Sequence, residues 1–105
     1  MKFVTVCEGG NVRSVCMALH LKDGLNEAIA TGWRFTTPET FKFLDNWADY
    51  FILMEKHFIE KIPKEIRHKC LFVDVGVDRF GNPFHEELMK LCEGGRKWIF
   101  DYIKK

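Results

Sequence analysis

The sequence lacks long hydrophobic runs, Cys-x-x-Cys pairs and an excess of charge of either sign. No apolar stretch approaches the roughly 18 residues of a membrane-spanning helix, and the first residues lead into a strand-like segment without the features of a secretory signal. The 16 basic and 15 acidic residues are interspersed and leave a net charge of +1, which gives no basic arm or acidic tail. We therefore expect a soluble cytoplasmic protein that binds neither nucleic acid nor a membrane.

The four cysteines, Cys7, Cys16, Cys70 and Cys92, are scattered along the chain. No two of them lie near a pair of histidines at metal-ligand spacing, so we expect no metal site and no cofactor. A cysteine in a cytoplasmic protein is usually a small buried apolar residue, and this is the expectation for Cys16, Cys70 and Cys92. Cys7 differs because it lies beside two glycines.

Short apolar segments alternate with segments of helical periodicity. A chain of 105 residues, 47% of them apolar, suits one domain covering residues 1–105. The predicted strands are Phe3–Val6, Glu27–Thr31, Tyr50–Met54 and Cys70–Val75. The predicted helices are Val12–Lys22, Pro38–Trp47, His57–Ile62 and Glu86–Ile103. The alternation predicts an α/β fold, a three-layer sandwich in which a doubly wound, four-stranded parallel sheet has helices on both faces.

The stretch VTVCEGGNVRS joins the first strand to the first helix. In a doubly wound sheet, ligands bind beyond the carboxyl ends of the strands, where the winding direction reverses. Loop amides, the positive end of the helix and the Arg13 guanidinium would converge there on a tetrahedral oxyanion. The predicted phosphate-binding residues are Glu8, Gly9, Gly10, Asn11, Val12 and Arg13.

Cys7 and Arg13 have the spacing Cys-x5-Arg. A helix N-terminus and a guanidinium favour the thiolate, which makes Cys7 a competent nucleophile, and Ser14 can donate a hydrogen bond to its sulfur. Arg13 can hold two equatorial oxygens of a phosphoryl group while the sulfur attacks phosphorus. The pattern favours a phosphate site over a merely structural turn.

The segment FVTVCEGGNVRSVCMAL resembles the first strand, phosphate loop and first helix of the low-molecular-weight protein tyrosine phosphatase family. EAIATGW resembles the second strand of that family, and FVDVGVDRF stands where the family carries its general-acid loop. In that loop Asp78-Arg79-Phe80 takes the place of an Asp-Pro-Tyr motif. The resemblance covers most of the chain and implies the strand order 2-1-3-4.

The resemblance also implies roles for individual residues. Cys7 would be the nucleophile, Arg13 the clamp on the transition state and Ser14 the partner of the thiolate. Asp78 would protonate the leaving oxygen and then activate the water that hydrolyses a phosphocysteine intermediate. The implied function is a cysteine-dependent phosphatase acting on phosphomonoesters, above all phosphotyrosine, in a protein or a small molecule.

Two further residues of this region are candidates for the site. Asp74 competes with Asp78 for the acid role, but it lies at the predicted end of the strand rather than on the loop. Phe80 is the candidate for an aromatic wall beside the substrate.

Two other classes of function remain open. A thiol-redox enzyme of the arsenate-reductase type shares this fold, but it needs resolving cysteines on a mobile segment, and Cys70 and Cys92 fall in a predicted strand and a predicted helix. A non-catalytic phosphate-binding module or a sugar-transport phosphocarrier also fits a cysteine-containing loop. Arg13 argues against the carrier, since clamping the phosphoryl group for hydrolysis would waste the phosphate.

Overall fold

Strands and helices alternate along the chain, as a computed structural model of residues 1–104 shows. The strands are β1 (Lys2–Cys7), β2 (Glu27–Gly32), β3 (Tyr50–Leu53) and β4 (Cys70–Phe72). The helices are α1 (Arg13–Leu21), α2 (Pro38–Trp47) and α3 (Glu86–Lys104). Short 3-10 segments cover Trp33–Phe35, Lys56–Lys61 and Lys64–Lys69. Within residues 1–104, no helix combines the length and apolar character needed to cross a membrane.

The four strands form one parallel sheet in the order β2-β1-β3-β4. This confirms the predicted doubly wound α/β fold and the strand order 2-1-3-4. The chain runs outward from β1 to β2 and then returns past β1 to β3, so the winding direction reverses between β1 and β3. Cys7, paired with Gly32 at the end of β2, therefore ends β1 at the position where such sheets bind ligands.

One face of β1 is covered by α1 and α3, which also pack on each other. Side chains alternate along a strand, and Phe3 on this face makes an edge contact with Phe100 of α3, with ring centroids 5.9 Å apart. Thr5, on the same face, donates a hydrogen bond from Oγ1 to the Ser14 carbonyl oxygen at 2.6 Å. This buried bond fixes the start of α1 against β1.

The opposite face of the sheet is covered by α2 and the 3-10 segments that follow β3. Phe41, Phe58 and Ile66 from these elements belong to the buried core. Helix α2 begins as the sequence predicts, because the Thr37 side chain accepts a hydrogen bond from the Thr40 amide and Pro38 occupies the first turn. Burial on both faces explains why β1 reads as an almost unbroken apolar run.

The connection between β3 and β4 differs from the prediction. The segment expected to be an α-helix over residues 57–62 is a 3-10 segment, and a second one, Lys64–Lys69, follows it. Pro63 separates the two because it cannot donate the backbone hydrogen bond that would continue a helix. Strand β4 ends at Phe72, although the amides of Val73 and Val75 still donate to the carbonyls of Leu53 and Met54.

Helix α3 continues without a break through Gly94 and Gly95. A Cβ atom at Gly95 would lie 2.4 Å from Cγ1 of Val73, so the glycine lets the helix approach the sheet. Gly95→Ala should therefore lower the free energy of unfolding by about 1–3 kcal/mol, measured by urea denaturation. Gly94→Ala is the matched control, because a Cβ there meets nothing within 4 Å, and it should stabilise the helix by up to about 1 kcal/mol. Equal effects of the two substitutions would contradict the packing argument.

Candidate functional site

The loop between β1 and α1, residues 8–12, packs closely on the end of β2. Gly10 has a φ of 78°, a conformation that favours glycine. A Cβ atom at Gly10 would lie 2.6 Å from the Gly32 nitrogen, and one at Gly32 would lie 2.4 Å from the Gly9 carbonyl carbon. The glycines of the loop and Gly32 of β2 therefore allow two backbones to touch, which fixes the shape of the loop.

Several backbone amides of this loop have no partner in the part of the chain that the structure describes. Within residues 1–104, the amides of Glu8, Gly9, Asn11 and Val12 donate no hydrogen bond, and no side chain caps the start of α1. The N-terminus of a helix carries a partial positive charge and binds anions through such amides. The loop thus presents a row of donors to an oxyanion.

Cys7 lies at the base of this loop and is buried. Its Sγ atom accepts a hydrogen bond from the Gly10 amide at 3.2 Å and lies 3.1 Å from Oγ of Ser14. Ser14 is fully buried, so its hydroxyl is held next to the sulfur. The Gly10 amide thus donates to the sulfur, and the Ser14 hydroxyl is held beside it, where it can donate to Sγ once the thiol proton is lost.

Arg13 is 2% exposed, and one terminal nitrogen of its guanidinium makes two hydrogen bonds. Nη1 donates to Oε2 of Glu55 at 2.6 Å and to the Gly76 carbonyl oxygen at 2.8 Å. Nε is also buried but has no hydrogen-bond partner among the described residues. Leaving a buried donor unsatisfied costs about 1–3 kcal/mol. Nε therefore keeps an unused hydrogen-bond donor next to the loop.

Glu55 belongs to the candidate site but was not among the residues predicted from the sequence. It follows β3, is 9% exposed and forms the buried ion pair with Arg13. His57 Nδ1 lies 3.7 Å from its other carboxylate oxygen. The one feature of the sequence that could have indicated this role is the position of Glu55 just beyond β3, beside the end of β1. Its charge balances Arg13 and fixes the direction of the guanidinium.

Glu8 carries a negative charge next to Cys7, but that charge is paired. Its Oε2 lies 2.5 Å from Nη2 of Arg34, and its carbonyl oxygen accepts a hydrogen bond from the Arg34 amide at 3.1 Å. The Arg34 turn therefore flanks the loop and neutralises the carboxylate, which reduces its repulsion of a phosphate.

The two candidate acids have different surroundings. The carboxylate of Asp74 accepts hydrogen bonds from the Lys56 amide at 3.1 Å and the Gly76 amide at 2.9 Å. These bonds hold the segment after β4 in place, and the Gly76 carbonyl oxygen of this segment accepts the hydrogen bond from Arg13. Asp78 is exposed, and its side chain makes no hydrogen bond among the described residues. Asp74 is thus bound to the backbone on both oxygens, and Asp78 remains the predicted acid.

Phe80 does not offer the exposed ring expected of a substrate wall. It is 4% exposed and packs in the core, with the Arg79 guanidinium 4.4 Å and the His85 ring 5.4 Å from its centroid. An apolar ring next to the core gains more by burial than by exposure to solvent. Phe35, in the 3-10 turn that flanks the loop, is 76% exposed.

The remaining cysteines are not all isolated, which corrects the expectation of no metal-ligand cluster. Cys16 and Cys92 are buried. Their two sulfur atoms and a ring nitrogen of His20 all lie within 4.8 Å of one another. The hydrogen bond between the two thiols lowers the pKa of Cys16 and raises the pKa of Cys92. Cys70 begins β4, where burial raises its pKa to about 12. Cys70 and Cys92 thus lie in regular elements, as predicted, and not on a mobile segment.

No protein-family model matches the sequence, and no curated protein is significantly similar to it. Solved structures do match. Wzb from Vibrio vulnificus, in complex with benzylphosphonate, is 18% identical with a TM-score of 0.74, over 96% of this chain and 97% of that one. A low-molecular-weight protein tyrosine phosphatase from Bacillus subtilis is 16% identical with a TM-score of 0.70, over 96% and 98%. The YwlE arginine phosphatase from Geobacillus stearothermophilus is 16% identical with a TM-score of 0.62, over 96% and 94%. The chain therefore has the fold of the low-molecular-weight protein tyrosine phosphatases.

Proposed function

We propose that this protein is a cysteine-dependent phosphatase that hydrolyses phosphomonoesters. The observation that carries the proposal is the buried Arg13, whose Nε has no partner among the described residues. It follows a loop that begins after Cys7, whose buried sulfur accepts a hydrogen bond from the Gly10 amide and lies 3.1 Å from Oγ of Ser14. A guanidinium with one terminal nitrogen held and further donors unused is suited to two oxygens of a phosphoryl group. The unpartnered loop amides complete the set of donors.

In the first step, the Cys7 thiolate attacks phosphorus. An S–P bond forms as the ester P–O bond breaks, and Asp78 donates its proton to the leaving oxygen. The loop amides and Arg13 stabilise the charge on the equatorial oxygens in the transition state. The step leaves a phosphocysteine and an alcohol or phenol.

In the second step, Asp78 accepts a proton from water as the water oxygen attacks phosphorus. The S–P bond breaks, inorganic phosphate is released and Cys7 returns as a thiolate. The Ser14 hydroxyl, 3.1 Å from Sγ, stabilises the sulfur anion as it leaves. Microscopic reversibility assigns one carboxyl group to both proton transfers.

We propose phosphotyrosine, in a protein or a small molecule, as the substrate. Tyrosine phosphatases are among the similar structures, and the exposed Phe35 beside the loop offers an aromatic contact for a phenyl ring. The pairing of Glu8 with Arg34 removes the unbalanced anion that would repel the dianionic ester. A phosphorylated substrate in the cytoplasm is consistent with four free cysteines.

Alkylation tests whether the thiolate and the anion share one site. Iodoacetate should modify Cys7 faster than Cys70 and Cys92, with loss of p-nitrophenyl phosphate hydrolysis in proportion, because a stabilised thiolate is the reactive form. Inorganic phosphate should slow the labelling of Cys7 while leaving the rate at Cys16 unchanged. Mass spectrometry of peptides measures the rate at each cysteine. Equal labelling of all four cysteines, or no protection by phosphate, would contradict the proposal.

A further inference from the structure

Cys16, His20 and Cys92 form a cluster away from the phosphate loop that the proposed reaction does not use. Cys16 and His20 are four residues apart in α1 and so share one face of that helix. Cys92 lies in α3, which packs against α1. One ligand atom from each residue lies within 4.8 Å of the other two. Two helices thus bring two sulfurs and an imidazole nitrogen to one point.

The distances are close to those of a metal centre. Sγ of Cys16 lies 3.8 Å from Nδ1 of His20. With Zn–S bonds of about 2.3 Å, two sulfurs on a tetrahedral zinc are about 3.8 Å apart. The ligand atoms of the three residues lie within 4.8 Å of one another. If the largest of these distances shortened by about 1 Å, all three atoms could coordinate one ion. Nδ1 also lies 2.9 Å from the Cys16 carbonyl oxygen, and a metal bound at Nδ1 would replace that contact.

A cavity gives access to the cluster from the surface. Its volume is about 140 Å³, and its lining includes Cys16, His20 and Met89. The cavity borders Cys16 and His20 and is large enough to hold a water molecule or an ion beside them. Met89 adds a thioether, a soft donor, to the wall. The cluster therefore combines soft ligands with an entry path to two of its three residues.

We propose that Cys16, His20 and Cys92 bind a thiophilic d10 cation, Zn²⁺ or Cu⁺. Two thiolates and an imidazole are the ligand types that these ions prefer, and hard cations such as Mg²⁺ prefer oxygen. The two thiol protons are released as the sulfur–metal bonds form. The bound ion links α1 to α3 and stabilises the folded chain. The proposal does not depend on the phosphatase reaction.

Metal titration of the purified, reduced chain tests this site. Isothermal titration calorimetry measures the binding of Zn²⁺, and an anaerobic competition assay measures the binding of Cu⁺. We expect at least one of these ions to bind to the cluster with a stoichiometry of one ion per chain. Cys92→Ser and His20→Gln should weaken that binding by about a hundredfold or more, because each removes a ligand atom. The ion should also raise the Tm of the wild-type chain and not that of these two variants.

Two other cysteine variants separate this site from the phosphate loop. Cys7→Ser and Cys70→Ser should bind the ion as the wild type does. Loss of binding in Cys7→Ser would place the ion at the phosphate loop and overturn the proposal. Wild-type affinity in both Cys92→Ser and His20→Gln, or no binding of either ion, would also overturn it. Circular dichroism checks folding, and His20→Gln keeps the test decisive if the buried Cys92→Ser fails to fold, since His20 is only half-buried.

Discussion

Replacement of Arg13 by lysine should lower kcat for p-nitrophenyl phosphate by about a hundred- to a thousandfold, the cost of losing a preorganised donor to the transition state. Lysine keeps the positive charge opposite Glu55, so the buried ion pair is not left with an unpaired carboxylate. It loses the planar fork, whose Nη1 is held by Glu55 and Gly76 while Nε has no partner among the described residues. Steady-state kinetics measures the effect.

Arg67→Lys is the matched control for this substitution. Arg67 is a half-buried arginine whose Nε donates to the Ile62 carbonyl oxygen, so the change carries a similar structural cost outside the phosphate loop. Its kcat should stay near the wild-type value. Wild-type kcat in Arg13→Lys, with the fold intact, would show that the guanidinium does not act on the reacting phosphoryl group.

Asp78→Asn should slow the hydrolysis of phenyl phosphate by about a hundred- to ten-thousandfold, the usual contribution of general acid catalysis. The loss should be much smaller for p-nitrophenyl phosphate, because nitrophenolate leaves with little help from a proton. Comparing kcat/KM for the two substrates measures this dependence on the leaving group.

Asp74→Asn is the control that distinguishes the two carboxylates. Because both Asp74 oxygens accept backbone amides, from Lys56 and Gly76, its loss should reduce stability or shift the segment and affect both substrates alike. If Asp74→Asn shows the dependence on the leaving group and Asp78→Asn does not, the strand-end carboxylate is the acid.

The sheet could be predicted from the sequence because its strands are buried on both faces. β1 reads as a nearly continuous apolar run, and Thr37-Pro38 marks the start of α2 with an N-cap and a first-turn proline. The 3-10 segments between β3 and β4 could not be predicted in the same way. Helical segments this short carry too few turns to produce a hydrophobic period.

The loop of the candidate site was visible in the sequence because its residues are local. Gly9, Gly10 and Arg13 lie within six residues of Cys7. Glu55, which pairs with Arg13 across 42 residues, was not visible, because its role depends on the register of β3 against β1. A long-range contact of this kind leaves no local pattern.

The structure differs from the sequence predictions at Phe80 and at the cluster of Cys16, His20 and Cys92, and tertiary packing explains both differences. Phe80 was assigned to a wall from its place in a motif, and the packing of the core decided its burial instead. The spacing of Cys16 and His20 on one helix face was visible, but their meeting with Cys92 depends on how α3 packs against α1. The position of a residue in a motif indicates which reaction its side chain can take part in. Tertiary packing determines which side chains lie together in one site.

The most direct test of the central claim is a search for a phosphoryl group on Cys7 during turnover. Acid quenching of the enzyme mixed with excess p-nitrophenyl phosphate, followed by mass spectrometry of its peptides, measures this adduct. The proposed mechanism predicts a phosphocysteine at Cys7 that forms and decays as p-nitrophenol is released, and none at Cys16, Cys70 or Cys92. Substrate turnover without any phosphoryl group on Cys7 would contradict the mechanism. Undiminished turnover by the Cys7→Ser variant would also contradict it.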